Sequence, residues 1–296
     1  MLDLSAIILT YNEEIHIRRC LENVCPVAKD VFVIDSCSTD RTVEIASEFD
    51  NVIVLSHPWP NNHGVQFNWG LDNAPIRTEW ILRLDADEYL GPELIERLHR
   101  ELLLLPPDVS AISMRRTHTF LRRFIKGGSG PVFLTRIFRH GKARSDVRNM
   151  HEHIQVNDGL TVRWSETFSD DNLRDLSWWT DKHNGYSIRE AADLLDAEFG
   201  FSAGADSGPS SPLASRRNKS RYARMPLFLR AFAYFLYRYF VRGGCLEGKE
   251  GFAWCFLQGW WYRTLVDAKI YEIKKVCGRN PEKIKAYLAD NYKIKF

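Results

Sequence analysis

The stretch Trp80-Ile81-Leu82-Arg83-Leu84-Asp85-Ala86-Asp87-Glu88 decides how this chain reads. Its first half, Trp80 to Leu84, is short and mostly apolar, the pattern of a buried strand. Its second half places two carboxylates one residue apart on the turn that follows. Side chains so spaced leave the turn in different directions. The pair therefore predicts one carboxylate on a cation directly and the other reaching it through water or holding a ribose. Such oxygen donors suit Mg2+ or Mn2+, which take substrate phosphates into their shell. Two aspartates so spaced are common on surface loops. The strand before them and the alternation around them give this pair its weight.

Outward from that stretch, strand and helix alternate. Ser5–Leu9, Val31–Ile34, Val52–Leu55 and Val109–Met114 read as further strands. Helices are expected over Glu13–Asn23, beginning beside Asn12 as N-cap, from Asp40 through Phe49, over Val65–Asn73 and over Pro92–Leu104. The alternation predicts a mostly parallel sheet with helices on both faces, and ligands outside the carboxyl ends of its strands. Thr10-Tyr11-Asn12, Asp35-Ser36 and Asp85-Ala86-Asp87 each follow a strand, so three polar clusters converge on one edge. Asp35 is placed to accept from a base N–H or a ribose hydroxyl, with Asp40 expected to do the capping. Backbone N–H groups of Thr10-Tyr11-Asn12-Glu13 either face an anion or nucleobase or simply cap the helix.

The chain has 296 residues, 45% of them hydrophobic and 26% charged. That is ordinary for a globular protein, and long enough to bury a large core. Its 40 Lys and Arg nearly cancel its 38 Asp and Glu, which argues against a nucleic-acid binder. None of the six cysteines forms a C-x-x-C pair, which excludes the usual zinc-ribbon and redox patterns. The first residues lack the basic-then-apolar pattern of a secretory signal, so a reducing cytoplasmic setting is expected. No run of about 18 apolar residues predicts a membrane span.

Beyond Arg115 the alternation weakens. Phe120–Gly130 reads as a basic, glycine-rich loop. Its neighbourhood carries Arg115, Arg116, Arg122, Arg123 and Lys126, which would contact acceptor phosphates, close over a donor, or simply be solvated. Val132–Arg139, Met150–Val156 and Leu160–Trp164 are strand candidates, and Leu173–Ala197 a helix. Residues 200–220 are rich in Gly, Ser and Pro and read as a linker. The last third is aromatic: Met225–Val241 and Phe252–Val266 both recur apolar at helical spacing, punctuated by arginine, after a basic cluster at Arg216, Arg217, Lys219, Arg221 and Arg224. Such helices lie flat on a membrane with basic residues at the edge, or pack on the rest of the chain or in a dimer.

Three motifs in order, Ile8-Leu-Thr-Tyr-Asn-Glu-Glu14, Val33-Ile-Asp-Ser-Cys-Ser-Thr-Asp40 and Leu82-Arg-Leu-Asp-Ala-Asp-Glu88, resemble the nucleotide-sugar half of glycosyltransferase family 2 over roughly residues 4 to 115. The resemblance implies a GT-A fold: α/β, Rossmann-like αβα with a mostly parallel central sheet, here followed by a helical, aromatic-rich C-terminal extension. It implies that Thr10, Asn12 and Asp35 line a nucleoside pocket, with Tyr11 and Glu13 beside them. Asp85 would approach ribose and metal, Asp87 would bind the metal, and Gln66, Asn68 and Arg83 would lie near the donor, a UDP-sugar. The third metal ligand is open among Asp170, Asp171 and His183; a bland reading makes the two aspartates a helix start.

Met150-His-Glu-His153 and Lys182-His-Asn-Gly-Tyr186 resemble the branch that adds sugars to lipopolysaccharide cores and exopolysaccharides. That likeness implies inverting chemistry with Glu152 as the base, Glu88 being the alternative. The histidines flanking Glu152 read otherwise as an exposed strand or a His-x-His zinc site. The implied acceptor is a lipid-linked saccharide at the cytoplasmic face of the inner membrane. The expected organisation is a donor-binding half at 1–115, an acceptor and catalytic half at 116–199, a basic linker at 200–224 and a helical extension at 225–296. The competing readings are a nucleotidyltransferase, whose glycine- and lysine-rich loop is missing after the first strand, and a non-catalytic membrane- or carbohydrate-binding scaffold.

Overall fold

The computed structural model describes residues 1–147, 153–201, 225–294 and 296. They form two compact units, residues 1–124 with 131–173, and residues 125–130 with 174–296. The expected boundaries at 115 and 199 lie elsewhere than this division, because one strand runs unbroken through Arg115 and the helix ending at Phe199 belongs with the C-terminal helices.

The first unit is built on strands β1 (Leu2–Thr10), β2 (Ala28–Asp35), β3 (Val52–Ser56), β4 (Trp80–Asp85), β5 (Glu88–Leu90), β6 (Val109–Phe120), β8 (Val132–Arg139) and β11 (Leu160–Asp170). Their order across the sheet is β3-β2-β1-β4-β8-β6-β11-β5, with the short β7 (Arg123–Ile125) beside β6. β9 (Ala143–Ser145) and β10 (Ile154–Val156) form a separate antiparallel pair. β1 explains the centre. Leu4, Ala6 and Ile8 face one core with Cys20 and Leu21 of α1 (Ile17–Val24) and with Leu94 and Leu98 of α4 (Pro92–Glu101). Ile7 and Leu9 face the other core, with Phe67 of α3 (His63–Asn73). The two-residue period thus covers both faces of a central strand, as in other parallel sheets.

β3, β2, β1 and β4 run parallel, as their alternation with helices predicts. The second half is mixed: β8 is antiparallel to β4 and β6, β6 is parallel to β11, and β11 is antiparallel to β5. Hydrophobic periodicity marks strands but not their partners, so this half was beyond a sequence reading. The first helix also starts later than expected, at Ile17. Asn12 has a left-handed φ of 55° and is not its cap; its Oδ1 accepts instead from the backbone N–H of Thr39. A short helix α2 (Thr42–Ala46) comes just after Asp40, whose Oδ1 accepts from the Thr42 N–H. The expected loop at Phe120–Gly130 contains β7.

The second unit is helical. α5 (Leu176–Phe199) opens on Asp175, which accepts from Trp178 N–H at 2.8 Å, and closes on left-handed Gly200. Its Ile188, Ala191 and Leu195 pack on Val266, Ile270 and Ile273 of α8 (Tyr262–Cys277) and on Ile284 and Leu288 of α9 (Pro281–Tyr292). Between α5 and α8 lie α6 (Leu229–Leu236), continued by a wide turn to Val241, and α7 (Gly248–Trp254), continued by another to Trp261. Arg230 and Arg238, expected at the edge of an apolar face, are buried. Among the described residues no helix is long and apolar enough to cross a membrane.

Candidate functional site

Strand register assembles the site. Thr10 at the end of β1 stands opposite Asp35 at the end of β2, and Leu9 stands opposite Asp85 at the end of β4. The three polar clusters predicted at one sheet edge are therefore neighbours.

The first cluster is closed on itself. Asp35 accepts from Thr10 Oγ1 at 3.0 Å, from Ser38 Oγ at 2.5 Å and from the Ser38 N–H at 2.8 Å. The Asn12 N–H donates to Ser38 Oγ at 2.9 Å. Asp40 is not the N-cap of α2, which is Arg41, although it accepts from the Thr42 N–H one residue further on; nor is Asp35 left over, since both its oxygens hold the loop and it is 2% exposed. Tyr11 is exposed at the same edge. Glu13 is committed elsewhere. Its carboxylate sits 2.5 Å from His16 Nδ1, and His16 Nε2 accepts from the Leu173 N–H at 2.9 Å. With Nε2 the acceptor, Nδ1 carries the proton and donates to Glu13. His16 is fully buried and was not singled out by sequence.

The second cluster is the Asp85–Glu88 turn. Glu88 reaches back, its Oε2 accepting from the Asp85 N–H at 3.0 Å. Its Oε1 accepts from Arg136 Nη2 at 2.5 Å, and the same nitrogen lies 3.5 Å from Asp85 Oδ2. Arg136 stands on β8 across Phe168, its guanidinium 5.3 Å from the ring centre. Burial raises the Asp85 carboxyl, but Arg136, Arg83 and His63 outweigh it and hold the group below its ordinary range. Glu88 goes the other way. Burial, with the neighbouring Asp85, Asp170 and Asp87 charges, overcomes Arg136 and pushes its carboxyl up to about 8. Glu88 is 2% exposed, whereas the Asp85 side chain is 40% exposed and open to a ligand. Glu88 therefore holds the Asp85 backbone and Arg136 in place.

Asp87 accepts from Asn172 Nδ2 at 2.9 Å. Of the third-ligand candidates, Asp171 is taken: Arg19 donates to its carboxylate at 2.6 Å and to its backbone carbonyl at 2.5 Å. Asp170 stands opposite Glu88 in the sheet, with Arg116 and His118 each 3.5 Å away. His183 belongs to the second unit, where it stacks on Trp179 at 3.6 Å and its Nδ1 donates to the Trp179 carbonyl.

Gln66, Asn68 and Arg83, expected near the donor, are each engaged within the protein. Gln66 is fully buried, donating to Ser36 Oγ and the His57 carbonyl, its Oε1 2.6 Å from His57 Nδ1. Asn68 exchanges two hydrogen bonds with the Ser145 backbone. Arg83 is 5% exposed over Phe67 and acts on Asp85 through its charge. Glu152 lies outside the described residues. The segment before it is fastened beside α3: Asn62 Nδ2 donates to the Val147 carbonyl, and the Asp146 carboxylate accepts from the His153 N–H at 2.9 Å. A Cβ on Gly64 would meet the Asp146 carbonyl oxygen at 2.0 Å, so only glycine permits that approach.

Sequence reading missed Arg136, His16, Arg19 and Ser38. Arg136 carried a usable signal, a lone cation inside the apolar run Val132–Phe138. Among the described residues no three or more His, Cys, Asp or Glu side chains are grouped to hold a metal alone. The donor set still fits magnesium or manganese. Mg2+ in particular is commonly held by one or two carboxylates, with waters and substrate phosphates completing the shell. An exposed, ionised Asp85 on the same turn as Asp87 supplies those two.

A family model described as Glycosyl transferase family 2 matches residues 5–165. The chain is 37% identical over 95 residues to an uncharacterized glycosyltransferase of Rickettsia bellii, covering 32% of this chain and 31% of that protein. It is 34% identical over 127 residues to the uncharacterized glycosyltransferase RC0292 of Rickettsia conorii, covering 41 and 44%. It thus spans less than half the length of these relatives. Among solved structures, S. aureus TarS (residues 1–349) aligns over 92% of each chain at 14% identity with a TM-score of 0.43.

Proposed function

The chain belongs to glycosyl transferase family 2, and on that premise we propose that it transfers a sugar from a nucleotide donor to a saccharide acceptor with help from a divalent metal. The observation that carries the proposal is the register at the sheet edge, which sets Thr10 beside Asp35 and places the open Asp85 one strand away. Asp85 and Asp87 would hold Mg2+ or Mn2+, and the bound ion supplies neutralisation of the departing diphosphate. Arg136 and Arg83 keep Asp85 ionised for that task. The loops that Asp35 and Asn12 organise would carry the nucleoside, with uracil the proposed base.

In the proposed chemistry, Glu152 takes the proton of an acceptor hydroxyl. That oxygen bonds to C1 of the sugar as the bond from C1 to the diphosphate breaks, with inversion and no covalent enzyme intermediate. A base need only lie within hydrogen-bond reach of the hydroxyl. The proposed acceptor is lipid-linked, in lipopolysaccharide or exopolysaccharide assembly at the inner membrane. The test is a screen of nucleotide-sugars with manganese for thermal stabilisation and slow donor hydrolysis. Stabilisation by one donor, dependent on metal, is expected; no stabilisation by any of them sinks the proposal. Glu152→Gln should keep donor binding and abolish transfer, and lost donor binding would remove Glu152 from the base role.

A further inference from the structure

α6 is built inside out. Arg230 and Arg238 are each 3% exposed. Arg230 Nε donates to Asp267 Oδ1 at 2.8 Å, and Asp267 is 1% exposed. Arg238 Nε donates to the Gly128 carbonyl at 2.5 Å beneath the Trp254 ring. The outer side carries Leu229, Phe232, Leu236, Tyr237, Phe240 and Val241, with Phe240 63% and Val241 72% exposed. Leu246, in the turn that follows, is 83% exposed. Every exposed residue between Met225 and Leu246 is apolar, proline or cysteine. A helix facing water shows the opposite distribution.

The face cannot simply turn inward. Phe235 stacks on Tyr239 at 5.7 Å and on Trp260 at 5.5 Å, while the two arginines anchor the same side. A continuous exposed apolar surface marks a partner. The rim of this one is cationic: Lys126 and Lys249 are exposed, each within two residues of the hydrogen bond between Gly127 N–H and Glu247 Oε1. We infer that the outer face of α6 and its following turn docks in the plane of an anionic lipid surface, with Lys126 and Lys249 at the headgroups. The apolar side then enters the acyl boundary without carrying a charge, and a helix this short lies on the bilayer rather than crossing it. Vesicle flotation reads lipid binding and not sugar transfer, so the two readings stand or fall separately.

The experiment is flotation of the full-length protein with vesicles of phosphatidylcholine alone and of phosphatidylcholine with phosphatidylglycerol. The protein should float with the mixed vesicles and weakly with the neutral ones. Leu229→Ser, Phe240→Ser and Val241→Ser together leave both arginine anchors and the packing of Phe232 on Trp260 intact. They should lower vesicle affinity at least about tenfold with an unchanged circular dichroism melt. Lys126→Glu with Lys249→Glu should erase the preference for anionic vesicles. Wild type that floats with neither vesicle, or a triple variant that floats as well as wild type, overturns the inference. So does a triple variant whose only change is loss of a concentration-dependent dimer in sedimentation velocity, which would assign the face to a second copy.

Discussion

Replacing Arg136 with Met removes a cation that touches both Asp85 and Glu88. The cost can be bounded from the contacts. A hydrogen bond to a charged group contributes about 1.5–3 kcal/mol. The guanidinium over Phe168 adds about 0.5–1 kcal/mol. The expected loss near neutral pH is therefore about 2–4 kcal/mol. The loss should grow with pH. Near pH 6 Glu88 is protonated with or without Arg136, because its carboxyl titrates at about 8. Above pH 8 wild type ionises against Arg136, while the variant must hold Glu88 neutral or bury an unpaired charge. Urea unfolding followed by circular dichroism across pH 6 to 9 measures this. A second effect concerns the metal. Without Arg136 the Asp85 carboxyl rises, so manganese-dependent nucleotide binding should weaken more at low pH than at high pH. A cost below about 1 kcal/mol, or one that shrinks with rising pH, refutes the account of this cluster.

Three further outcomes follow from single contacts. The raised Glu88 carboxyl contributes stability that is fully present below its ordinary value of 4.5 and lost as pH climbs through about 8. Glu88→Gln cannot ionise, so its melting temperature relative to wild type should rise between pH 5 and pH 9; a flat or falling difference contradicts the titration. Gly64→Ala drives a methyl group against the Asp146 carbonyl and should cost about 1–3 kcal/mol in denaturant unfolding. A neutral result would mean that α3 and β9 are not in such close approach. His16→Ala removes the acceptor of the Leu173 N–H and a donor to the Glu13 carboxylate and should cost about 2–4 kcal/mol, whereas an unchanged melt would contradict this bridging role of His16.

The parallel half of the sheet was legible because each of its strands is a short apolar run followed by a helix. Ile7 and Ile8 must both be buried, and only a central strand does that. The mixed half was not legible, since nothing local in Val132–Arg139 says that it pairs with both β4 and β6. The strand-end aspartates were legible by position, but their commitments were not. Asp35 is spent on Ser38 and Thr10, and Asp171 on Arg19, a residue 152 positions away in sequence. Arg136 shows the same limit. Its type and strand were visible, but its bond to Glu88 depends on a register that only the folded sheet fixes. The burial of Arg230 and Arg238 reversed the expected face of α6, because helical spacing gives the stripe and not which side faces inward.

The central claim is that Asp85 and Asp87 join a divalent metal to the diphosphate of a nucleotide-sugar. Its most direct test is thermal unfolding of wild type, Asp85→Asn and Asp87→Asn with a UDP-sugar, with and without manganese. At a ligand concentration of about 100 Kd, wild type should gain about 2.7 kcal/mol, a shift of roughly 4 °C, only when both are present. Each variant should lose most of that gain while melting normally alone. A wild-type shift that ignores manganese, or variants that keep the full metal-dependent shift, would contradict the claim.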